Sequence, residues 1–387
     1  MNGPAMAFGP LKGLFSEVTT MLKLQDLPPC VTFYSEDDFS YSTMEGYVQG
    51  LLQQGQSVAY ITSDRDDPLI GQTSPKLHVL PLKTLGNVAL SKCKAPVLVM
   101  TMPDLGSLHV ARPAAGTRCV YVFHALVSIH RAYRTDAFDH YDDFFCAGDY
   151  HVRELTRRFE MIGKPTPRLH QVGYYKLDRI HRQHAAYKKE LTDRPTVLFA
   201  PSWHPDNLFE CRGLEMMEKL LAADLRVIAR PHPAFFTSLY PKAKSVETEI
   251  QRRLGPHPNF LWDVEMNSER SFHEADLLVT DWSGSAFEYA FGTERPVLLV
   301  NTPAKVRNPD WQALGLAPFE VETREKLGRV LEPEETGEVV SVATALLQES
   351  GDWKQALTSL RDGCIFNFGK SAEVGTKILR DLLSQAG

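Results

Sequence analysis

The 387-residue sequence has no excess of positive charge: 42 lysines and arginines stand against 48 aspartates and glutamates, a net charge of −6. That speaks against a nucleic-acid partner held on a broadly basic surface, and against adsorption to an anionic membrane through overall charge. No apolar run approaches the roughly 20 residues needed to span a bilayer. The amino terminus lacks the charged start, apolar core and small-residue cleavage site of a secretory signal. Six cysteines, at positions 30, 93, 119, 146, 211 and 364, include no Cys-x-x-Cys pair. Neither a zinc ribbon nor a dithiol redox site is indicated. Scattered thiols fit a reducing compartment, where they pack as small apolar residues, so the expected localisation is cytoplasmic. There is no internal repeat, no low-complexity tract and no Gly-x-Gly-x-x-Gly. No metal or cofactor is called for.

What is present is an alternation of short apolar runs and helical patterns. Residues 8 to 22 put Phe8, Leu11, Leu14, Phe15, Val18, Met21 and Leu22 on one helical face. The favoured expectation is a short helix docked on the body. The alternative is an interfacial helix giving peripheral contact with the inner face of a membrane. Strands are expected at Val31–Tyr34, Ser57–Ile61, Leu77–Leu80, Val97–Thr101, Val120–Phe123 and Phe144–Cys146. Ser42-Thr43-Met44-Glu45 reads as a capping box opening a helix that runs to about Gln54, with Gly55 ending it. A polar helical stretch, His181–Lys189, and a turn at Thr192-Asp193-Arg194-Pro195 mark a break. A second series follows: Val197–Ala200, Arg226–Ala229, Phe260–Trp262, Leu277–Thr280 and Val297–Val300. From about Glu338 the pattern is helical. The expected fold is α/β, with two Rossmann-like doubly wound domains facing across a cleft in the GT-B manner. Expected boundaries are 1–29 for the helical segment, 30–190 for an acceptor-side domain, and 191–387 for a donor-binding domain with the C-terminal helices.

Three loops in the second series carry candidate chemistry. Thr280-Asp281-Trp282-Ser283-Gly284-Ser285 joins a strand's carboxyl end to a helix start, where Ser285 and Glu288 form another capping-box pattern. Open α/β sheets bind ligands at such edges, and helix N–H groups attract anions there. Gly284 permits close approach, and Ser283 and Ser285 add hydroxyls. Taken alone, this segment reads better as an ordinary capped turn. Arg230-Pro231-His232-Pro233 follows another strand and holds two basic side chains in a stiff loop suited to phosphate. Ser202 and Trp203, in Ala200-Pro201-Ser202-Trp203-His204-Pro205-Asp206, follow a third. Their convergence on one sheet edge outlines a pocket. In the first half, His124 directly follows Val120–Phe123, placed to take a proton from an acceptor hydroxyl. The nearby mix of His130, Arg131, Arg134, His140, His151, Asp136, Asp139, Asp142 and Asp143 matches no metal-ligand spacing. Arg153, Arg157, Arg158, Lys164 and Arg168 read first as a solvated helix surface, with an anionic polymer or lipid headgroup as the functional alternative.

Read together, these segments resemble the CDP-glycerol glycerophosphotransferase family, which includes the teichoic acid primases and polymerases. Phe123-His124-Ala125 resembles the family's Trp-His-Gly. Gly173-Tyr174-Tyr175-Lys176-Leu177-Asp178 resembles its Gly-x-Pro-(Arg/Lys)-x-Asp. Ala200-Pro201-Ser202-Trp203, Arg230-Pro231-His232-Pro233 and Thr280-Asp281-Trp282-Ser283-Gly284-Ser285 are similar to its Ala-Pro-Thr-Trp, (Lys/Arg)-x-His-Pro and Thr-Asp-Tyr-Ser-Ser. Asp142-Asp143-Phe144-Phe145 looks, more weakly, like its Tyr-Asp-Tyr-Phe strand. The resemblance implies a GT-B fold, a CDP-activated donor (CDP-glycerol or CDP-ribitol), a glycan or lipid-linked acceptor, and release of CMP. It implies His124 as general base, His232 and Ser283 on the donor phosphates, and Glu288 at an acidic position. The departures are Gly284 for a second serine, Ala125 for glycine and Tyr175 for proline. Competing readings are a nucleotide-sugar glycosyltransferase, a nucleotide-sugar epimerase and a non-catalytic polymer-binding protein.

Overall fold

The computed structural model describes residues 9–189, 194–237, 240–265 and 269–385. Within them lie thirteen strands, and every ladder between them is parallel. The first sheet is built from β1 (Val31–Ser35), β2 (Val58–Thr62), β3 (Leu77–Pro81), β4 (Val97–Met100), β5 (Arg118–Val122), β6 (Asp143–Cys146) and β7 (Arg168–Gln171), in the order β3-β2-β1-β4-β5-β6-β7. The second contains β8 (Thr196–Phe199), β9 (Arg226–Ala229), β10 (Phe260–Trp262), β11 (Leu277–Thr280), β12 (Val297–Val300) and β13 (Gly328–Leu331), in the order β10-β9-β8-β11-β12-β13. Both orders are doubly wound. The switch point lies between β1 and β4 in one sheet and between β8 and β11 in the other. Crevices for ligands form at the carboxyl ends beside such points.

Central strands such as β1, β4, β8, β11 and β12 are buried along their whole length. Helices on both faces demand continuous apolar runs of that kind. The two strands that the sequence reading lacks, β7 and β13, are sheet edges. Arg-Leu-His-Gln in β7 is entirely exposed or half-buried, so it carries no apolar run to notice.

The chain divides into two units. The first comprises the described residues up to His124, Tyr133–Lys176 and those from Phe366 on; the second comprises Ala125–Ala132 and Leu177–Ile365. This differs from the expected boundary at residue 190 and from a second domain holding all the C-terminal helices. The helix Tyr175–Ala186 belongs mainly to the second unit, because its Leu177 and Ile180 are fully buried and Arg179 pairs with Glu269 there. The polar outer face, His181 onward, is what reads as a linker. The helix Ser371–Gln385 returns to the first unit, where Leu379 and Leu382 join Met44, Tyr47 and Leu51 over β1 and β4. Burying each leucine there is worth about 1.5–3 kcal/mol. The second core gathers Met216, Met217 and Leu220 with Val339, Ala343 and Leu346 against β8, β9 and β12.

Two helix starts differ from expectation. The helix Asp38–Gln53 begins before Ser42, because Asp37 caps it: its carboxylate accepts from Ser40 N at 2.9 Å. Gly55, at φ +75°, ends it as expected. The helix Gly9–Lys23 is tied to the first unit by Glu17, whose carboxylate accepts from Thr84 N at 2.8 Å and Leu85 N at 2.9 Å. Phe15 is 72% exposed, Val18 39% and Leu22 57%. Phe8, and Thr192 and Asp193 of the expected turn, lie outside the described residues. No helix among the described residues is long and apolar enough to cross a membrane.

Candidate functional site

His124 immediately follows Phe123 at the carboxyl end of β5, in the first unit. Its Nδ1 lies 3.0 Å from the Thr101 carbonyl, and a carbonyl can only accept, so Nδ1 carries the proton in the neutral ring. Nε2 then keeps its lone pair and accepts from the Tyr133 hydroxyl at 3.0 Å. Tyr174 fixes the backbone beneath it, donating to the His124 carbonyl at 2.8 Å. That gives the Gly173–Asp178 segment a role: Gly173, at φ +99°, turns the chain into this position. The result is a histidine with a set tautomer and its basic nitrogen held in place.

The surrounding acids and histidines are spent on structure. Asp143 pairs with Arg118 and His170. Asp142 accepts from Cys119 N at 2.8 Å, and Arg158 pairs with Asp139. His151 stacks on Phe123 with ring centroids 3.6 Å apart. Arg153 and Arg157 pair along their own helix with Asp149 and Glu160, the pattern of a solvated surface.

In the second unit the loops after β8, β9 and β11 lie side by side, since those three strands are consecutive neighbours in the sheet and run parallel. Asp281 knits two of them together. It is 1% exposed and accepts from Ser202 N at 2.8 Å and from Leu208 N at 2.9 Å. Ser202 is buried, and its hydroxyl donates to His204 Nδ1, while His204 Nε2 donates to the Pro303 carbonyl at 2.9 Å. His232 caps a short 3-10 turn, its Nδ1 accepting from Ala234 N at 3.1 Å; the neutral ring therefore carries its proton on Nε2. Arg230 donates to Ser271 Oγ at 2.7 Å and lies 3.5 Å from Asp263. Burial pushes its pKa down while Asp263, Glu269 and Glu288 pull it up. Trp203 is half-buried, 6.2 Å from His232 between ring centroids.

The helix Ser285–Thr293 starts with Gly284 as its N-cap residue, and no side chain caps it. The expected Ser285–Glu288 box is therefore absent. Instead Ser283 Oγ accepts from Ser285 N at 3.3 Å and from Ser285 Oγ at 2.8 Å. Ala286 N and Phe287 N bond to the carbonyls of Ser283 and Gly284, each at 3.2 Å. The first-turn N–H groups expected to meet an anion are thus largely occupied. Glu288 is buried in this helix. Gly284 has ordinary helical torsions, so its value is space: a Cβ there would stand 3.3 Å from Val127 Cγ1.

Val127 belongs to the segment 125–132, which packs in the second unit. Ser128 N donates to Glu320 at 2.9 Å, and Asn308 donates to the His130 carbonyl at 2.8 Å. This segment, the β11 loop and the β12 loop line a pocket that includes Arg131, Asp281, Ser283, Gly284, Lys305 and Arg324. Lys305 and Arg324 are absent from the sequence candidates, and Arg131 entered only in the mix of residues that matched no metal-ligand spacing. Lys305 had a legible signal, because it follows β12 as Ser202 follows β8. Burial pushes Lys305 down to about 8, with Asp281 pulling up and Arg307 down. Lys305 Nζ and Arg307 Cζ lie 5.1 and 5.2 Å from the Trp203 ring centroid.

No curated protein matches the chain in sequence. Among solved structures, the wall teichoic acid polymerase TagF is similar at TM-score 0.61 and 16% identity, covering 97% of this chain and 96% of that one. A TagF variant soaked with CDPG gives TM-score 0.61 at 13% identity, covering 98% and 99%. A putative UDP-N-acetylglucosamine 2-epimerase from Listeria monocytogenes gives TM-score 0.58 at 12% identity, covering 92% and 97%. At these identities the likeness establishes the GT-B fold class and no more. The profile of the family described as CDP-Glycerol:Poly(glycerophosphate) glycerophosphotransferase matches residues 127–304, a span that starts just after His124 and holds all three motif loops. Over those residues, somewhat less than half of the chain, the sequence is similar to the CDP-glycerol glycerophosphotransferase family.

Proposed function

We propose that this enzyme transfers a polyol phosphate, glycerol phosphate before ribitol phosphate, from a CDP-activated donor to an acceptor hydroxyl of a cell-surface glycan or teichoic-acid-like polymer. The observation that carries the reading is the family match over the segment containing Ser202, His232 and Asp281–Ser285. The polymerase name of TagF, and the CDPG soaked into its variant, favour the same donor class.

The chemistry is displacement at phosphorus. The acceptor oxygen bonds to the distal phosphorus, the bond from that phosphorus to the bridging oxygen breaks, and CMP leaves with the electron pair. The hydroxyl proton passes to His124 Nε2, the nitrogen left unprotonated by the Thr101 contact. In this reading an acceptor hydroxyl takes the place of the Tyr133 hydroxyl on that nitrogen. His232 offers its Nε2 proton to a donor phosphate oxygen. Trp203, Ser283 and Ser285 flank the donor, while Ser202, Asp281 and Gly284 shape its loops. Arg230 and Glu288 form the charged support behind them. Such a site works by positioning and by stabilising charge as it moves to the leaving group.

The test is incubation with CDP-glycerol, CDP-ribitol and a set of nucleotide sugars, with the released nucleotide identified. CMP from a CDP-polyol is the expected product. Release of a nucleoside diphosphate from a nucleotide sugar would replace this reading with a glycosyltransferase. A cytoplasmic, membrane-peripheral setting is part of the proposal and draws on the exposed Phe15, Val18 and Leu22. Co-sedimentation with anionic vesicles is expected to weaken in Leu22→Ser, and equal sedimentation would remove the helix from the interface.

A further inference from the structure

The pocket at the start of the helix Ser285–Thr293 holds more unsatisfied positive charge than the motifs foretell. Arg131 and Arg324 are 4% and 5% exposed. A guanidinium has five N–H donors and no acceptor. Among the described residues, Arg131 Nε and Nη1 and Arg324 Nη2 have no hydrogen-bond partner. Glu320 lies 3.7 Å from Arg131 Nη1, too far for a hydrogen bond, and Arg324 Nη1 donates to Asn301. Both guanidinium groups stand over one indole: their Cζ atoms are 4.8 and 3.9 Å from the Trp282 ring centroid. Trp282 is itself anchored by donating to the Thr302 carbonyl at 2.8 Å. Lys305 supplies a third cation to the same wall.

The acidic groups of the pocket are already engaged. Asp281 gives both carboxylate oxygens to backbone N–H groups, and Glu320 Oε2 accepts from Ser128 N. Three cations thus face two carboxylates: Asp281 gives both oxygens to the backbone, and Glu320 gives one, its Oε1 forming a 3.7 Å ion pair with Arg131. Buried charged donors left unpaired are costly, and neighbouring like charges add to the cost. Such an arrangement around one pocket is the mark of a site shaped for an anion. The anion has to be polydentate, because the open donors come from two chain segments, and it has to sit beside Ser283 and Gly284.

We propose that Arg131, Lys305 and Arg324 are the diphosphate-binding residues of this enzyme and hold the two linked phosphates of its nucleotide donor. This rests on the donor reading given above and goes further by assigning the grip to cations outside the recognised motifs. Arg131 and Arg324 offer planar forks to phosphate oxygens, while the Trp282 ring keeps both planes in place. Lys305 is the adjustable member. Burial loosens its hold on its proton, and a bound diphosphate secures it.

The experiment is calorimetric titration of the full chain with inorganic pyrophosphate, CDP, UDP and cytidine. Arg131→Gln and Arg324→Gln are each expected to weaken pyrophosphate and CDP binding by about 10- to 100-fold and to leave cytidine binding unchanged. Lys305→Gln, at a half-buried position, is the variant that keeps the test decisive should an arginine variant fail to fold; a smaller loss in the same ligands is expected. Pyrophosphate binding lost in the variants, with UDP held as tightly as CDP in the parent, would support the pocket while overturning the cytidine donor. CDP preferred over UDP, with all three variants binding it as the parent does, would leave the donor reading standing and overturn this proposal.

Discussion

At the carboxyl edge of the first sheet His124 meets neutral partners, the Thr101 carbonyl and the hydroxyls of Tyr121 and Tyr133. At the same edge of the second sheet, around Trp282, cationic donors outnumber the groups that accept from them. The difference fits the roles proposed for the two places. A base must keep a lone pair and a fixed tautomer, which neutral partners secure without neutralising it. An anion site must hold back donors until the ligand arrives, so its satisfied state is the bound one. In the proposed reaction, one fold, used twice, supplies the two halves by filling equivalent strand-end loops with opposite hydrogen-bonding patterns.

The largest test of that contrast is His124→Ala. Turnover is expected to fall by about 10²- to 10⁴-fold, the range for loss of a general base, with CDP affinity unchanged by calorimetry. Undiminished turnover would remove His124 from the reaction. Next comes Asp281→Asn, which weakens the carboxylate that joins the β8 and β11 loops. A loss of roughly 2 kcal/mol in unfolding free energy is expected from denaturant titration, together with weaker CDP binding. Stability equal to the parent would show that Asp281 does not hold these loops. Trp282→Leu should reduce pyrophosphate affinity about tenfold or less, by releasing the two guanidinium planes, while leaving His124-dependent turnover at saturating donor nearly intact. A collapse of saturated turnover would contradict the division of labour between the units.

The smallest expected effect is on pH. Lys305 is protonated below about 8 and neutral above it, lower than an ordinary lysine, because burial disfavours its charge. Pyrophosphate affinity is therefore expected to be full below that value and to decline by a few-fold as pH rises through it. The dependence should flatten in Lys305→Gln. An unchanged profile in that variant would assign the titration to another group.

The central strands were legible because parallel strands covered on both faces must be apolar throughout, and β1, β8, β11 and β12 are. The edge strand β7 was not, because an edge has no such requirement. His124, Ser202 and His232 were legible from one rule, that a polar residue just after a strand sits at the ligand edge. The same rule applied to Val297–Val300 points to Lys305. Arg131 and Arg324 were not legible. One comes from an eight-residue excursion of the chain into the second unit, and the other from a turn ahead of an edge strand. No sequence spacing relates them; Trp282 does, and only in three dimensions. The Ser285–Glu288 box misled for a related reason: the hydroxyl of Ser285 is drawn to Ser283 and to the Ala200 carbonyl by the neighbouring β8 loop.

The return of the helix Ser371–Gln385 to the first unit has a consequence for the order in which the protein is made. Translation delivers the β1–β7 sheet first, but the face formed by Met44, Tyr47 and Leu51 stays incompletely covered until Leu379 and Leu382 emerge. The second unit, by contrast, is complete once Ile365 has been added. The part of the chain synthesised first is thus the part that matures last, and it carries a partly uncovered apolar surface through the synthesis of the whole second unit.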